Sequence, residues 1–212
     1  MQKKVQIVIG TANEHKFREI AEILRDVPAE LLSLKSFPEI PPIEENGQTF
    51  RENAFLKAHA VFQHTGLLIL ADDSGLEVDA LDGAPGIYSA RFAGAEHDYA
   101  ANNRKLLAAL QNYPDEMRGA QFRCVVAIVF PDGAQKTAEG IVRGKIIHEL
   151  RGNKGFGYDP LFVPDGYTRT FAEMGDEIKN RISHRAIAFQ KAKEILIENQ
   201  NWPPEGKFRA NP

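Results

Sequence analysis

The chain has 212 residues, of which 43% are hydrophobic and 26% charged, so it is long enough for one large domain of ordinary globular composition. Its formal net charge of -3 argues against a general DNA- or RNA-binding protein, and no segment approaches the ~20 apolar residues that span a membrane. Since Cys124 is the only cysteine and the N-terminus does not resemble a signal peptide, we expect a cytoplasmic protein without an internal disulfide or a cysteine-based zinc site.

The N-terminal part of the chain predicts a strand, a helix and a second strand. Residues 5–10 (VQIVIG) are a β-branched apolar run, which is typical of a buried strand. The polar turn TANEHK follows, and residues 17–27 then carry apolar side chains at helical spacing. Residues 30–36 predict the second strand, whereas residues 37–48, which include three prolines, predict a loop.

A second helix and a third strand are expected next. The sequence from Thr49 to Glu52 is a capping box, which predicts a helix that runs to about His64 and is ended by Gly66. The apolar residues 67–70 predict a strand, and the two aspartates that follow are expected at its end. Such a charged pair is costly beside a buried strand unless a cation, a metal ion or water meets it.

The remaining segments predict a mixture of loops, a hairpin and two helices. Residues 75–98 are rich in Gly and Pro and predict a long irregular segment with short strands, which is uncommon unless it is functional. Residues 98–113 predict an amphipathic helix, and residues 120–147 a hairpin that turns at Pro-Asp-Gly. Residues 153–166 predict a Gly-rich loop and then a strand, and residues 183–199 predict the last helix.

No internal repeat or linker interrupts residues 1–202, so we expect a single two-lobed α/β domain. Pro203 and Pro204 cannot continue the last helix. Residues 203–212 are therefore expected to form an extended or disordered tail.

The turn TANEHK is a candidate anion site. A tight turn between a strand and a helix presents backbone N–H groups and the positive end of the helix dipole. Asn13 is a good N-cap, and Lys16 in the first turn is unfavourable unless an anion compensates its charge. An ordinary capped turn with a solvated lysine is the alternative that these residues leave open.

Two acidic pairs are candidate metal ligands. Glu44–Glu45 and Asp72–Asp73 offer only oxygen ligands, which suit Mg²⁺ held by one or two carboxylates and by substrate phosphates. Because side chains alternate along a strand, only one of Asp72 and Asp73 can point into a given cleft. A solvated acidic turn is the alternative for either pair.

One further segment could recognise a planar base. In residues 152–160 (GNKGFGYDP), glycines permit close backbone approach, and Phe156 and Tyr158 offer aromatic faces. An ordinary glycine turn is the alternative.

A basic group precedes and opens the last helix, where Ser183 is a suitable N-cap. It consists of Lys179, His184 and Arg185. An exposed basic surface is the alternative, and it is the favoured one for Lys179 taken alone.

Five motifs in chain order resemble the inosine/xanthosine triphosphate pyrophosphatase family: TANEHK, EENGQTFRENAFLKA, ADDSGLEVDALDGAPGIYSARFAG, GFGYDPLF and ISHRAIA. The resemblance runs from residue 7 to about residue 195. It implies a two-lobed α/β fold with a long twisted mixed sheet, flanking helices and a central cleft. It also implies a homodimer, dependence on Mg²⁺, and hydrolysis of dITP, ITP and XTP to the monophosphate and pyrophosphate.

The resemblance also implies roles for individual residues. Asp73 resembles the catalytic base, and Asp73 and Glu44 resemble the metal-associated acids. Lys57 resembles a phosphate-binding lysine, and Ser74 a further substrate contact. The residues that resemble the triphosphate-binding turn are Thr11, Ala12, Asn13, Glu14, His15 and Lys16. Those that resemble the base pocket are Phe156, Gly157, Tyr158, Asp159, Lys179, His184 and Arg185.

The choice of base follows from hydrogen-bond polarity. Hypoxanthine and xanthine carry a 6-oxo acceptor where adenine carries a donor. If Arg185 or Lys179 donates to this oxygen, ATP would leave a buried donor unpaired, which can reduce turnover by up to ~10⁴–10⁵-fold. Two other functions stay open: a Maf-like pyrophosphatase for other modified nucleotides, and a nucleotide sensor without catalysis.

Overall fold

The computed structural model describes residues 5–199, which form a mixed six-stranded sheet flanked by helices. The strands are β1 (Val5–Ile9), β2 (Ala29–Ser33), β3 (Leu68–Val78), β4 (Gly119–Val129), β5 (Gln135–Ile146) and β6 (Phe162–Pro164). The helices are α1 (Glu14–Ile23), α2 (Phe50–Thr65), α3 (Tyr99–Ala109), α4 (Phe171–Met174), α5 (Asp176–Ile182) and α6 (His184–Glu198). The expected α/β class with a mixed sheet is confirmed.

The sheet has the strand order β2-β1-β3-β4-β5-β6. β1 pairs in parallel with both β2 and β3, because α1 and α2 carry the chain back to the same end of the sheet. β3, β4, β5 and β6 pair in antiparallel order. The long β4–β5 hairpin turns at Pro-Asp-Gly, as expected, and Gly133 there has a φ of 83°.

The helix ends confirm the predicted N-cap residues, but the predicted capping box of α2 is only half formed. Thr49 Oγ1 accepts from the Glu52 N–H at 3.1 Å, whereas the Glu52 carboxylate accepts from the Gln48 N–H at 2.7 Å. The Asn13 side chain caps α1 by accepting hydrogen bonds from two backbone N–H groups of its first turn. Thr49 caps α2, and Gly66, in the left-handed conformation with a φ of 61°, ends it. Ser183 caps α6 at 3.1 Å.

β3 is much longer than the sequence indicated. We expected a strand over residues 67–70 with Asp72 and Asp73 at its end. Instead β3 has 11 residues, and the two aspartates pair with Val126 and Val125 in its middle. The expectation was wrong because it ended the strand at the first charged residues. In the structure, side chains from distant elements neutralise or hydrogen-bond the two aspartates, so the buried strand continues through them.

The segment after β3 also differs from its prediction. Within the described part of the chain, residues 79–98 contain two 3₁₀ turns, at 79–81 and 86–91, rather than short strands. The second turn packs directly on β3, because a Cβ at Gly75 would lie only 2.3 Å from the Gly86 carbonyl oxygen.

Three hydrophobic clusters pack against the sheet. One cluster lies between the sheet and helices α1 and α6 and includes Ile20 and Phe189. The second covers the opposite face, where Ala54 of α2 packs on β3. The third surrounds the far ends of β3–β5 and includes Leu106 and Phe171.

Residues 1–4 and 200–212 lie outside the described residues, and so does the tail predicted at 203–212. Among residues 5–199, no helix has the length and hydropathy needed to cross a membrane. Cys124 is buried in β4, as its apolar surroundings predicted, and burial raises the pKa of its thiol.

Candidate functional site

A cavity of about 920 Å³ lies where the middle of β3 meets α2 and the N-terminal ends of α1 and α6. It brings together all of the predicted site residues except Glu14 and His15, although they come from distant parts of the sequence. The predicted residues that line it are Thr11, Ala12, Asn13, Lys16, Glu44, Lys57, Asp73, Ser74, Phe156, Gly157, Tyr158, Asp159, Lys179, His184 and Arg185.

Asp73 points to the sheet face that α2 covers, and it lines the cavity. Its Oδ2 accepts a hydrogen bond from Asn53 Nδ2 at 3.1 Å, and its Oδ1 lies 3.7 Å from Lys57 Nζ. Burial raises the pKa of Asp73 above its ordinary value, and this effect exceeds the opposing effect of Lys57 and Lys16. A carboxylate with a raised pKa beside a cavity is chemically suited to accept a proton.

Asp72 points to the opposite sheet face and does not line the cavity. Its Oδ2 lies 3.2 Å from Lys16 Nζ and 3.6 Å from Arg185 Nη2, and it accepts a hydrogen bond from Ser74 Oγ at 3.3 Å. Burial by itself raises the pKa of Asp72, but the charges of Lys16 and Arg185 bring it well below its ordinary value. Asp72 is therefore ionised, and it holds two cations at the cavity wall.

Lys57 connects Asp73 with a second carboxylate. Its Nζ lies 2.9 Å from Glu45 Oε2. Burial lowers the pKa of Lys57, but the charges of Asp73 and Glu45 outweigh this effect and raise it. Glu44, the predicted acid, also lines the cavity but is exposed, so the geometry favours its neighbour Glu45 as the partner of Asp73.

The N-terminus of α1 is more fully capped than the sequence indicated. Asn13 Oδ1 accepts from the N–H groups of His15 and Lys16 at 2.9 and 3.2 Å, and Thr11 Oγ1 accepts from the Asn13 N–H at 3.2 Å. These bonds occupy donors that an anion would otherwise use. Attraction for an anion at this turn therefore depends mainly on the Lys16 ammonium and the helix dipole. The Asn13 amide also donates to Tyr99 Oη at 3.3 Å, which joins the turn to α3.

Phe156 contributes an aromatic ring to the cavity wall. The Lys179 Nζ lies 4.5 Å from the centre of its ring, and the Arg185 guanidinium lies 5.6 Å from it. The His15 ring stacks on Phe156 with a centroid separation of 5.5 Å. Planar groups therefore already associate with this ring, and hydrogen-bond donors lie beside it.

The loop that carries Phe156 is built around the Asp159 carboxylate. Asp159 Oδ2 accepts from the Phe156 N–H at 2.9 Å and from Lys179 Nζ at 2.5 Å. Gly155 has a φ of 73°, and a Cβ there would lie 2.1 Å from the same oxygen. Tyr158 is buried, with its hydroxyl bonded to a backbone carbonyl, so its ring is part of the core rather than an open stacking surface.

Glu19 of α1 joins the two cations beside Phe156. Its carboxylate lies 2.8 Å from Lys179 Nζ and 2.6 Å from Arg185 Nη1. Burial raises the pKa of Glu19, but Arg185 and Lys179 together lower it below its ordinary value. The interpretation of Lys179 as part of an exposed basic surface is wrong, because Glu19 and Asp159 neutralise its charge and allow it to be buried.

His184 is a neutral group in the cavity wall. Its ring stacks on Phe122 with a centroid separation of 4.7 Å. Burial, together with the charges of Arg185 and Lys179, lowers the pKa of His184 well below its ordinary value. Its Nδ1 is buried and has no hydrogen-bond partner among residues 5–199.

Sequence reasoning missed Glu19 and Asn53. A signal for Glu19 was present, because it follows Lys16 by three residues and precedes the buried Ile23 by four, so it lies on the inner face of α1. A carboxylate on such a face requires a cationic partner. Asn53 precedes Lys57 by four residues and therefore shares its helix face.

The residues near Asp73 fit a magnesium ion that arrives with phosphates. Among the residues that the structure describes, no group of three or more His, Cys, Asp or Glu side chains is arranged to hold a metal by itself. Asp73 and Glu45 nevertheless face the same cation, Lys57, and offer only oxygen ligands. Two carboxylates completed by substrate phosphates and water are an ordinary environment for Mg²⁺.

Comparison with known proteins gives consistent matches over most of the chain. A family model described as the Ham1 family matches residues 7–195. A dITP/XTP pyrophosphatase from Desulforamulus reducens is 53% identical over 192 residues, which cover 91% of this chain and 96% of that protein. A dITP/XTP pyrophosphatase from Streptomyces coelicolor is 47% identical, with 91% and 98% covered. The structure of a HAM1 protein from Coxiella burnetii is similar with a TM-score of 0.83 and 41% identity, covering 92% of this chain and 99% of that one.

Proposed function

This chain belongs to the Ham1 family, and on that premise we propose that it hydrolyses the deaminated purine nucleotides dITP, ITP and XTP to the monophosphate and pyrophosphate. The names of its relatives support this activity. The observation that carries the proposal is that Lys16, Asp73, Phe156 and Arg185 line one cavity. That cavity combines a proton acceptor, cations for phosphates and a stacking surface for a base.

Asp73 activates the water in this proposal. Its ionised carboxylate accepts a proton from the water that attacks the α-phosphorus, an effect that typically contributes 10²–10⁴-fold. Asn53 and Lys57 hold the carboxylate in place. Lys16 and Lys57 attract the phosphates, and a cation near a phosphate in a cleft gains on the order of 4 kcal/mol before desolvation, against about 0–1 kcal/mol for an exposed pair.

Mg²⁺ would neutralise phosphate charge when bound, and Asp73 and Glu45 would hold it. Glu44, the acid implied by the sequence resemblance, is the alternative to Glu45. The variants Glu44→Gln and Glu45→Gln are a matched pair that decides between them. We expect Glu45→Gln to raise the Mg²⁺ concentration needed for half-maximal activity more than Glu44→Gln does, because only Glu45 shares Lys57 with Asp73.

Arg185 provides a specific means of selecting the 6-oxo base. Its Nε is a buried donor without a hydrogen-bond partner among residues 5–199. Its guanidinium lies 5.6 Å from the centre of the Phe156 ring, so a base that stacks on this ring would lie close to Arg185. If the 6-oxo group accepts a hydrogen bond from Arg185, the 6-amino group of ATP would leave this donor unpaired, so we expect slower turnover of ATP.

Three finer proposals rest on the sequence and on the resemblance: a homodimer, a cytoplasmic location, and a single functional domain over residues 1–202. Light scattering after size-exclusion chromatography tests the first. A mass of one chain, 23.6 kDa, at working concentration would contradict it.

A nucleotide panel tests the proposed function. ITP, dITP, XTP, ATP, GTP, dTTP and UTP are compared with Mg²⁺, and pyrophosphate and orthophosphate are measured separately. We expect turnover of ITP, dITP and XTP with release of pyrophosphate alone. Preference for dTTP or UTP would support the Maf-like alternative instead, and binding without turnover would support the nucleotide sensor.

A further inference from the structure

Arg91 is a cation in the cavity wall to which the proposed mechanism gives no role. It ends the 86–91 turn and lines the cavity, with 31% of its side chain exposed. Its Nη2 donates to the Glu45 carbonyl at 3.4 Å, and its Nη1 lies 3.7 Å from Glu96 Oε1. The guanidinium lies 5.4 Å from the centre of the Tyr88 ring.

The ion pair between Arg91 and Glu96 is weaker than the ion pairs of the buried cations. Lys179 and Arg185 are each held by two buried carboxylates. The Glu96 side chain is 65% exposed and only just within ion-pair distance. An exposed pair of this kind contributes little, so Arg91 can exchange Glu96 for another anion at small cost.

The position of Arg91 indicates which part of the substrate it meets. It contacts Glu45, and Glu45 also binds Lys57, which stands beside Asp73. The β- and γ-phosphates of the substrate, which lie beyond the α-phosphorus, leave together as pyrophosphate. A planar guanidinium binds two phosphate oxygens at once, which suits a group that gains charge as the bond breaks.

We infer that Arg91 is a substrate-binding residue for the terminal phosphates, and that Glu96 occupies its guanidinium until a triphosphate replaces it. The inference rests on the proposed function for the position of the α-phosphorus. Arg91 binds both the substrate and the pyrophosphate product, whereas a nucleoside monophosphate does not reach it. Glu96 competes with the phosphates for this cation.

Calorimetric titration of the full chain with pyrophosphate and, separately, with IMP tests the inference. Arg91→Ala is expected to weaken pyrophosphate binding by about 10- to 100-fold and to raise the KM for ITP, with the affinity for IMP unchanged. Arg91→Lys should fall between Arg91→Ala and the original chain. Arg143→Ala is the matched control, since Arg143 makes an exposed pair with Asp79 outside the cavity.

Glu96→Gln gives a test that does not depend on removing the arginine. It is expected to tighten pyrophosphate binding by about 2- to 5-fold, because Arg91 loses its competing anion. Unchanged pyrophosphate affinity in Arg91→Ala, or equal losses for pyrophosphate and IMP, would overturn the inference. If the chain binds pyrophosphate through Arg91 but shows no preference for ITP, the proposed substrate fails while the role of Arg91 stands.

Discussion

Replacing Asp72 or Asp73 by asparagine is expected to change stability in different ways, although the two residues are adjacent. Asp72 has a pKa lowered in the folded protein, and Asp73 has a raised pKa. A lowered pKa means that folding favours the ionised carboxylate, whereas a raised pKa means that folding favours the protonated one. At neutral pH the charge of Asp72 therefore stabilises the fold, and the charge of Asp73 opposes it.

The magnitude for Asp72→Asn follows from its contacts. The side chain is fully buried, so solvent does not screen its interaction with Lys16 and Arg185. Breaking a buried pair usually costs 3–5 kcal/mol. Arg185 keeps Glu19, and Lys16 can reach water because 16% of its side chain is exposed, so we expect about 3 kcal/mol at pH 7. This corresponds to a Tm lower by about 6–12 °C for a chain of this size.

Asp73→Asn is expected to change the free energy of unfolding by less than about 1 kcal/mol at pH 7, or to increase it. The asparagine oxygen can still accept the hydrogen bond from Asn53, and Lys57 keeps Glu45 as its partner. Pyrophosphate release should nevertheless fall by about 10²–10⁴-fold, because the proton acceptor is lost.

Urea unfolding and thermal melting of the original chain and both variants, from pH 2 to pH 8, measure these effects. The Asp72 contribution is present above the ordinary aspartate pKa and is lost as the pH falls toward the lower folded pKa. The ionisation of Asp73 does not affect stability below the ordinary aspartate pKa. It lowers the free energy of unfolding as the pH rises from that value through the raised folded pKa. Equal loss of stability in the two variants, or a larger loss in Asp73→Asn, would refute this reasoning.

Three further predictions concern the base, the metal and the fold. Phe156→Ala should raise the KM for ITP by about 5- to 150-fold, because base stacking contributes about 1–3 kcal/mol. The control Tyr158→Phe should leave KM unchanged, and equal effects of the two variants on KM would argue against stacking on Phe156. Removal of divalent ions with EDTA should stop pyrophosphate release and added Mg²⁺ should restore it, so activity that persists in EDTA would exclude the proposed metal. Gly75→Ala should lower stability by about 2 kcal/mol or more, because its Cβ would lie 2.3 Å from the Gly86 carbonyl oxygen, and an unchanged Tm would contradict this packing.

Local chemistry in the sequence predicted the helix ends well. Asn13, Thr49 and Ser183 cap helices, and Gly66 ends α2, because these effects depend on residues within one turn. The residues that the family motifs suggested for the site all line the cavity, with the exception of Glu14 and His15, but other lining residues such as Glu45 and Arg91 were not among them.

The partners of the buried charges could not be predicted, because they come from distant parts of the chain. Asp72 meets Lys16 and Arg185, which lie 56 positions before it and 113 after it in the sequence. Without these partners, the pattern of β3 indicated a strand that ended near residue 70. Ion pairs with residues distant in the sequence therefore stabilise the charged middle of β3. Other long-range pairs, with Glu19 and Asp159, allow Lys179 to be buried.

Hydrolysis of ITP in water enriched in ¹⁸O tests the central claim most directly. If water attacks the α-phosphorus in this cavity, mass spectrometry will find one ¹⁸O atom in IMP and none in pyrophosphate. Label in pyrophosphate would place the attack at the β-phosphorus, and label in orthophosphate would show cleavage of the terminal phosphate. Either of these results would contradict the account.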